Sequence, residues 1–166
     1  MNKLNIARVG WVAFHFIHPT ELTQGKMKNV LLRRAKLADM QTIESYVEKF
    51  RLDNENLKFE QFIVAERKGS IIGFGRIKPY RHCFELGCIA VLEAYRKRSI
   101  GSAIVKRLIE DFPSDDIWIT TDIPEYFQRF GFKSTTDAPQ EILDKIKRVC
   151  HSRQHPNAII MLLRRK

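Results

Sequence analysis

The stretch Glu85-Leu-Gly-Cys-Ile-Ala-Val-Leu-Glu-Ala-Tyr-Arg-Lys-Arg-Ser-Ile-Gly-Ser-Ala-Ile-Val-Lys-Arg-Leu-Ile-Glu-Asp111 decides the fold. It opens as an apolar strand, passes through a basic turn containing Ser99, Gly101 and Ser102, and continues with the spacing of an amphipathic helix. A turn that opens a helix presents backbone N–H groups with no internal acceptor, and their partial positive charge is aimed where an anion can sit. Arg96, Lys97 and Arg98 add full charges around the same spot. This is the pattern of a pyrophosphate cradle.

Residues 83–92 are apolar enough for a central strand covered on both faces. Ile100, Ile104, Leu108 and Phe112 then form one stripe of a helix. Downstream, 116–121 reads as a buried strand. Asp122 is placed to cap a short helix, with Glu125 returning the capping-box bond. That helix carries Tyr126, Phe127 and Phe130 and stops at Gly131, a residue suited to a left-handed C′ position, with Phe132 beyond it. A further helix is expected to start near Asp137, with Ile142, Ile146 and Val149 on its apolar face, and 158–163 makes a closing strand.

Upstream, 30–35 reads as a strand, and Asp39 precedes a helix with Met40, Ile43, Val47 and Phe50 on one face. Strands 62–66 and 71–77 flank a Lys68-Gly69-Ser70 turn and form an antiparallel hairpin, in which Gly73 and Gly75 invite the close approach of a neighbouring backbone. The order of strands and helices predicts an α/β (α+β) sandwich around a mixed sheet. Residues 1–26 are expected to be an N-terminal extension, an extra strand or a disordered tail, and 27–166 the domain. The apolar run 9–17 is too short to span a membrane and lacks the form of a secretory signal.

The chain of 166 residues has a formal charge of +10, which calls for an anionic partner. The basic residues are scattered rather than gathered on one helix face, so neither nucleic acid nor a membrane surface is the expected partner. Cys83, Cys88 and Cys150 suggest no disulfide framework and favour a cytoplasmic setting. Their spacing with His82, His151 and His155 fits no common zinc pattern, so no metal is expected.

On two motifs the chain resembles the GNAT superfamily of acyl-CoA-dependent N-acetyltransferases. Arg96-Lys97-Arg98-Ser99-Ile100-Gly101 is similar to the family's cofactor signature, with Ser99 in place of its first glycine. Glu125-Tyr126-Phe127-Gln128-Arg129-Phe130-Gly131-Phe132 is similar to its aromatic helix ending in Gly-Phe. Arg33-Arg34-Ala35, residues 85–91, Thr120-Thr121 and the C-terminal apolar run resemble the acetyltransferase domain of N-acetylglutamate synthases in particular.

The resemblance implies a GNAT fold: a mixed, mostly antiparallel central sheet with helices on both faces and a splay between the central strands. It implies acetyl-CoA as co-substrate, bound by main-chain groups of Ile89, Ala90 and Val91 and by Arg96, Lys97, Arg98, Ser99, Ile100, Gly101 and Ser102. Phe127, where many members carry a tyrosine, is counted with this set. Glu85 is the expected general base, since burial in an apolar strand raises a carboxyl toward the working range; the equal alternative is a carboxylate paired with a nearby arginine for structure. Thr121 or water would protonate the departing thiolate; Tyr126, one residue off the family's tyrosine position, is a catalytic candidate or else a core or lining aromatic. For an acceptor bearing carboxylates, Arg33, Arg34, Lys78 and Arg81 are the candidate partners. The expected acceptor is a small-molecule amine such as glutamate, and the expected assembly a monomer or homodimer. The alternatives are acetylation of a protein N-terminus, lysine or polyamine, and an acyl-CoA-binding sensor without turnover.

Overall fold

A computed structural model of the chain describes residues 12–13, 29–96, 99–151 and 155–165. Its elements are β1 (Val12–Ala13), β2 (Leu31–Arg34), α1 (Met40–Lys49), β3 (Phe62–Arg67), β4 (Ser70–Pro79), β5 (Phe84–Val91), α2 (Ile100–Glu110), β6 (Asp116–Thr121), α3 (Pro124–Gln128), β7 (Lys133–Ser134), α4 (Gln140–His151) and β8 (Ile159–Arg164). Among the described residues the strands form one sheet in the order β2-β3-β4-β5-β6-β8-β7, with β1 lying beside β5. The β1/β5 and β5/β6 pairs are parallel and the other pairs antiparallel. No helix among the described residues is long and apolar enough to cross a membrane.

Both faces of the sheet are covered. On one, Ile100, Ile104, Val105 and Leu108 of α2 pack with Ile63, Ile72, Leu86, Ile89 and Val91, and Tyr126 and Phe127 of α3 join the same cluster. Each fully buried aliphatic side chain of this kind contributes about 1.5–3 kcal/mol of transfer free energy. On the other face, Met40, Ile43 and Val47 of α1 pack on Phe62, Val64, Phe74, Cys88 and Ala90. Ile142 of α4 joins Cys83, Trp118 and Ile160, with Leu143 and Ile146 beside them.

The feature that shapes the site is a bulge in β5. Across β4, Phe74 faces Ala90 while Arg76 faces Gly87, so β5 holds one residue more than its partner. Cys88 sits there at φ +47°, a left-handed conformation that a non-glycine residue adopts at a cost of about 1 kcal/mol or more. Because side chains alternate along a strand, the extra residue resets which face each occupies. Leu86 before the bulge and Ile89 after it both meet α2, while Cys88 and Ala90 meet α1. Glu85, next to Leu86, therefore shares the α1/α4 face with Cys88 and Ala90. Pairing of β5 with β6 is confined to Glu85 with Trp118 and Leu86 with Ile119, and it ends where the bulge begins.

Several local expectations are corrected. Asp39 precedes α1 as expected, but its side chain makes no cap bond to the helix: its carboxylate accepts from the Lys36 N–H at 2.7 Å and from Arg33, which stabilises a short 3₁₀ turn before α1. Asp122 does not cap α3 either. Pro124 starts that helix and offers no N–H, so Ile123 becomes the N-cap, and its own N–H is held at 3.1 Å by the Thr121 hydroxyl. The last helix begins at Gln140 rather than near Asp137. A Cβ on Gly75 would lie 2.5 Å from Leu108 Cδ1 and 2.8 Å from Ile104 Cγ2, so the close neighbour there is α2 rather than a backbone. At Gly73 the close neighbour does include backbone, Ala90 O at 3.0 Å. Gly131 is left-handed at φ +94°, and Phe132 beyond it is buried.

Candidate active site

The strand-turn-helix segment builds a cradle at one end of the sheet. The first hydrogen bond of α2 runs from the Ala103 N–H to the Ser99 carbonyl at 2.9 Å. The N–H groups of Ile100, Gly101 and Ser102 thus have no intrahelical acceptor and present the positive end of the helix dipole. Ser99 holds φ +63°, the conformation a glycine adopts freely, which is the physical reason the similar motif has glycine there. Arg96 folds back so that its Nε donates to the Val91 carbonyl at 3.1 Å, tying the turn to the end of β5 and using one of the main-chain groups assigned to the acyl donor. Lys97 and Arg98 lie outside the described residues.

Beyond Leu86 the β6 side of β5 is not paired with β6. The main chain there accepts an extended partner: Val12 pairs with Ile89 and Ala13 with Ala90. An edge that receives a strand can also receive a linear arm whose amides are spaced as in a short peptide. The edge of β5 ends at Val91 and α2 begins at Ile100, so a diphosphate on the cradle and an amide-bearing arm along β5 suit a single elongated ligand.

On the α1/α4 face lies a buried set of charges. Glu85 is 1% exposed. Its Oε2 accepts from Tyr80 Oη at 2.8 Å and from Lys145 Nζ at 2.5 Å, whereas Oε1 is buried with no hydrogen-bond partner. Lys145 Nζ also lies 3.9 Å from Asp53 Oδ2. Lys78 Nζ is held by Asp53 Oδ2 at 2.7 Å and Glu55 Oε2 at 3.0 Å, above the Tyr80 ring. Buried Arg76 donates to Gln61 Oε1 at 2.8 Å and to the carbonyls of Glu55 and Asn56 at 2.7 and 3.0 Å, which fixes the 53–56 loop.

Burial pushes the Asp53 carboxyl up, but Lys145 and Lys78 outweigh it and the net shift is down. Burial pushes the Lys145 ammonium down, and Glu85 and Asp53 offset this only in part. The Tyr80 phenol is raised, first by burial and then by the Glu85 charge, so it stays a donor. Burial likewise pushes the Cys88 thiol up to about 11, which keeps it a packed thiol rather than a nucleophile.

The candidate residues fall into separate places. Thr121 is fully buried and its hydroxyl accepts from the Ile123 N–H. Tyr126 Oη lies 3.4 Å from Ser102 Oγ in the first turn of α2, so its hydroxyl stands at the cradle, and burial raises its pKa, which makes it a weaker proton donor. Phe127 is wholly enclosed, with its ring edge against Tyr126 and Phe132. Lys78 is beside Glu85's cluster, and Arg81 is exposed on the β4–β5 turn. Arg33 is not brought to this cluster: on β2, with β3 and β4 between it and β5, it binds Asp39 at 2.7 Å and Glu66 at 2.7 Å. Arg34 is exposed and 3.5 Å from Asp111 at the end of α2. His82, weighed for zinc, meets Glu141 at 2.9 Å, while Cys83 is buried beneath α4.

Sequence reasoning missed Tyr80, Asp53 and Lys145. Lys145 had a readable signal, since it falls between Ile142 and Ile146 on the apolar stripe of its helix, where a charge needs a buried partner. Tyr80 and Asp53 had none, lying in a turn and a polar connection.

The profile of the Acetyltransferase (GNAT) family matches residues 30–132. An uncharacterized N-acetyltransferase of Chlorobaculum tepidum is 28% identical over 115 residues, covering 61% of this chain and 74% of that protein. Among solved structures, N-acetylglutamate synthase from Neisseria gonorrhoeae, complexed with coenzyme A and N-acetyl-glutamate, superposes with a TM-score of 0.68 at 18% identity over 82% of this chain. The chain spans 35% of that synthase's length. Rv2747 from Mycobacterium tuberculosis, in complex with CoA, gives a TM-score of 0.65 at 24% identity, covering 81% of this chain and 98% of that one. The splayed β5, the cradle at the start of α2 and the profile match across 30–132 agree: the chain belongs to the acetyltransferase (GNAT) family.

Proposed function

We propose that the protein transfers an acetyl group from acetyl-CoA to a primary amine by direct attack in a ternary complex. The observation that carries this reading is the break between β5 and β6 at the Cys88 bulge, with the unsatisfied N-terminus of α2 following β5 as the next helix of the chain. The proposed donor contacts are the main chain of Ile89, Ala90 and Val91, the N–H groups of Ile100, Gly101 and Ser102, and the side chains of Arg96, Lys97, Arg98 and Ser99. Alignment of amine and thioester, with dipoles fixed on the thioester oxygen, supplies most of the acceleration such a site can give.

The neutral amine attacks the thioester carbon, the C–S bond breaks, and the amine's proton passes to Glu85. Its unpartnered Oε1 is the acceptor atom, reached directly or through one water. The departing thiolate takes a proton from water: the Tyr126 hydroxyl stands beside Ser102 at the diphosphate end of the donor, and the Thr121 hydroxyl is engaged with the Ile123 N–H. A small amino acid such as glutamate is the proposed acceptor, its carboxylate meeting the exposed Arg81, since Lys78 is already held by Asp53 and Glu55. The proposed domain is 27–166 with 1–26 as an extension, and the buried free thiols Cys83 and Cys88 suit a reducing cytoplasm.

Thiol release from acetyl-CoA across a panel of amino acids, peptides and polyamines tests the reading, and accelerated release with at least one amine is expected. A second reading, an acyl-CoA-binding module without turnover, is favoured by the fact that Glu85 already holds an internal ammonium. Tight acetyl-CoA binding with no amine-dependent thiol release would select it and refute the enzyme.

A further inference from the structure

Lys145 is a buried ammonium to which acetyl transfer as described assigns no task. It stands on the apolar stripe of α4, its side chain 4% exposed, and reaches across to Glu85 Oε2. A methionine at this position would continue the stripe without the desolvation that the charge incurs. The helix that delivers it is fastened over Glu85 at three points: Glu141 to His82 on the β4–β5 turn, Lys145 to Glu85, and Arg148 to Glu55 at the rim.

The charge balance around Glu85 depends on this one residue. Asp53, Glu55 and Glu85 are matched by Arg76, Lys78 and Lys145, and each ion pair of the set is short or buried. With Lys145 the set is neutral; without it a net negative charge remains beside Glu85. The exposed rim adds Arg148 and Arg81, both cationic. An acceptor that places its amine at Glu85 Oε1 thus brings the rest of its structure up against ammonium and guanidinium groups, not bare carboxylates.

We propose that Lys145 determines acceptor specificity: by neutralising the Glu85 and Asp53 carboxylates it disfavours amines that carry a second positive charge and favours those that carry a carboxylate. This rests on the assignment of Glu85 to the acceptor side and names the substrate class for that site. Like charges brought together in a desolvated site are strongly disfavoured, and opposite charges steer and retain a ligand.

The test uses the full chain with acetyl-CoA and three acceptors built on one four-carbon chain: 4-aminobutanoate, 1-aminobutane and 1,4-diaminobutane. The expected order of kcat/KM is carboxylate over neutral over diamine, with steps of about tenfold. In Lys145→Met the diamine should gain about tenfold on 1-aminobutane, mainly through KM, and Lys145→Arg should restore the original order. A diamine preference in the unaltered chain, or the same order in Lys145→Met, overturns the proposal. If Lys145→Met does not fold, the order in the unaltered chain decides alone. Turnover with none of the three overturns this proposal, while the transfer reading falls only if the wider panel of amino acids, peptides and polyamines is inert as well; turnover with the diamine preferred overturns only this one.

Discussion

Glu85→Gln tests how the buried charges are coupled. The substitution keeps the shape of the side chain and one oxygen acceptor, so the Tyr80 hydrogen bond at 2.8 Å can persist. It removes the negative charge that faces Lys145 Nζ at 2.5 Å, where the two side chains are 2% and 4% exposed. The next anion from Lys145 is Asp53 at 3.9 Å. Removing one partner of a buried pair costs about 3–5 kcal/mol, and the retained amide oxygen together with Asp53 puts this case at the low end, about 3 kcal/mol. In Glu85→Gln/Lys145→Met the stranded charge is gone, and about 2 kcal/mol of the loss should return.

The pH dependence has a definite sign. Burial already holds Lys145 below the ordinary lysine value, and loss of Glu85 lowers it further. The folded variant then binds fewer protons at this site than the unfolded chain, so its stability rises with pH, and its deficit shrinks between pH 7 and the ordinary lysine value near 10.4. Urea unfolding of the four chains of the cycle at pH 7 and pH 9 measures both effects. Additivity within about 0.5 kcal/mol, or a Glu85→Gln deficit that does not change with pH, would refute the coupling.

Two further outcomes are expected. Gly75→Ala places a Cβ 2.5 Å from Leu108 Cδ1 and 2.8 Å from Ile104 Cγ2, and should lower stability by about 1–2 kcal/mol in the same assay; an unchanged midpoint would mean that α2 can withdraw from β4. A chain starting at Met27 lacks β1, which pairs with Ile89 and Ala90, so it should unfold cooperatively and bind CoA at least as tightly as the full chain by calorimetry. Weaker CoA binding would assign β1 a part in the donor site.

Residues 85–111 carried the donor side of the site in their order, because a cradle is local: the apolar strand, the basic turn and the amphipathic helix are adjacent in sequence, and the unsatisfied N–H groups follow from the helix start alone. The aromatic helix with its left-handed Gly131 was readable for the same reason. The acceptor side was not. Lys145 lies 60 residues from Glu85, and Asp53 lies 25 from Lys78, and nothing in local spacing says which buried charge meets which. Arg33 shows the converse, since its motif position suggested a ligand while the sheet puts it on β2 beside Asp39 and Glu66.

What the sequence determined by itself was the succession of elements, the stripes they bury and the place of the anion cradle, all set by periodicity, caps and turn chemistry within a few residues. Only the tertiary structure decided the bulge at Cys88, the face on which Glu85 lies and the ammonium that occupies it. A bulge is fixed by the register between two strands, and a buried ion pair by which helix packs over which strand end. Both are long-range choices, made by the packing of the whole sheet between its helices.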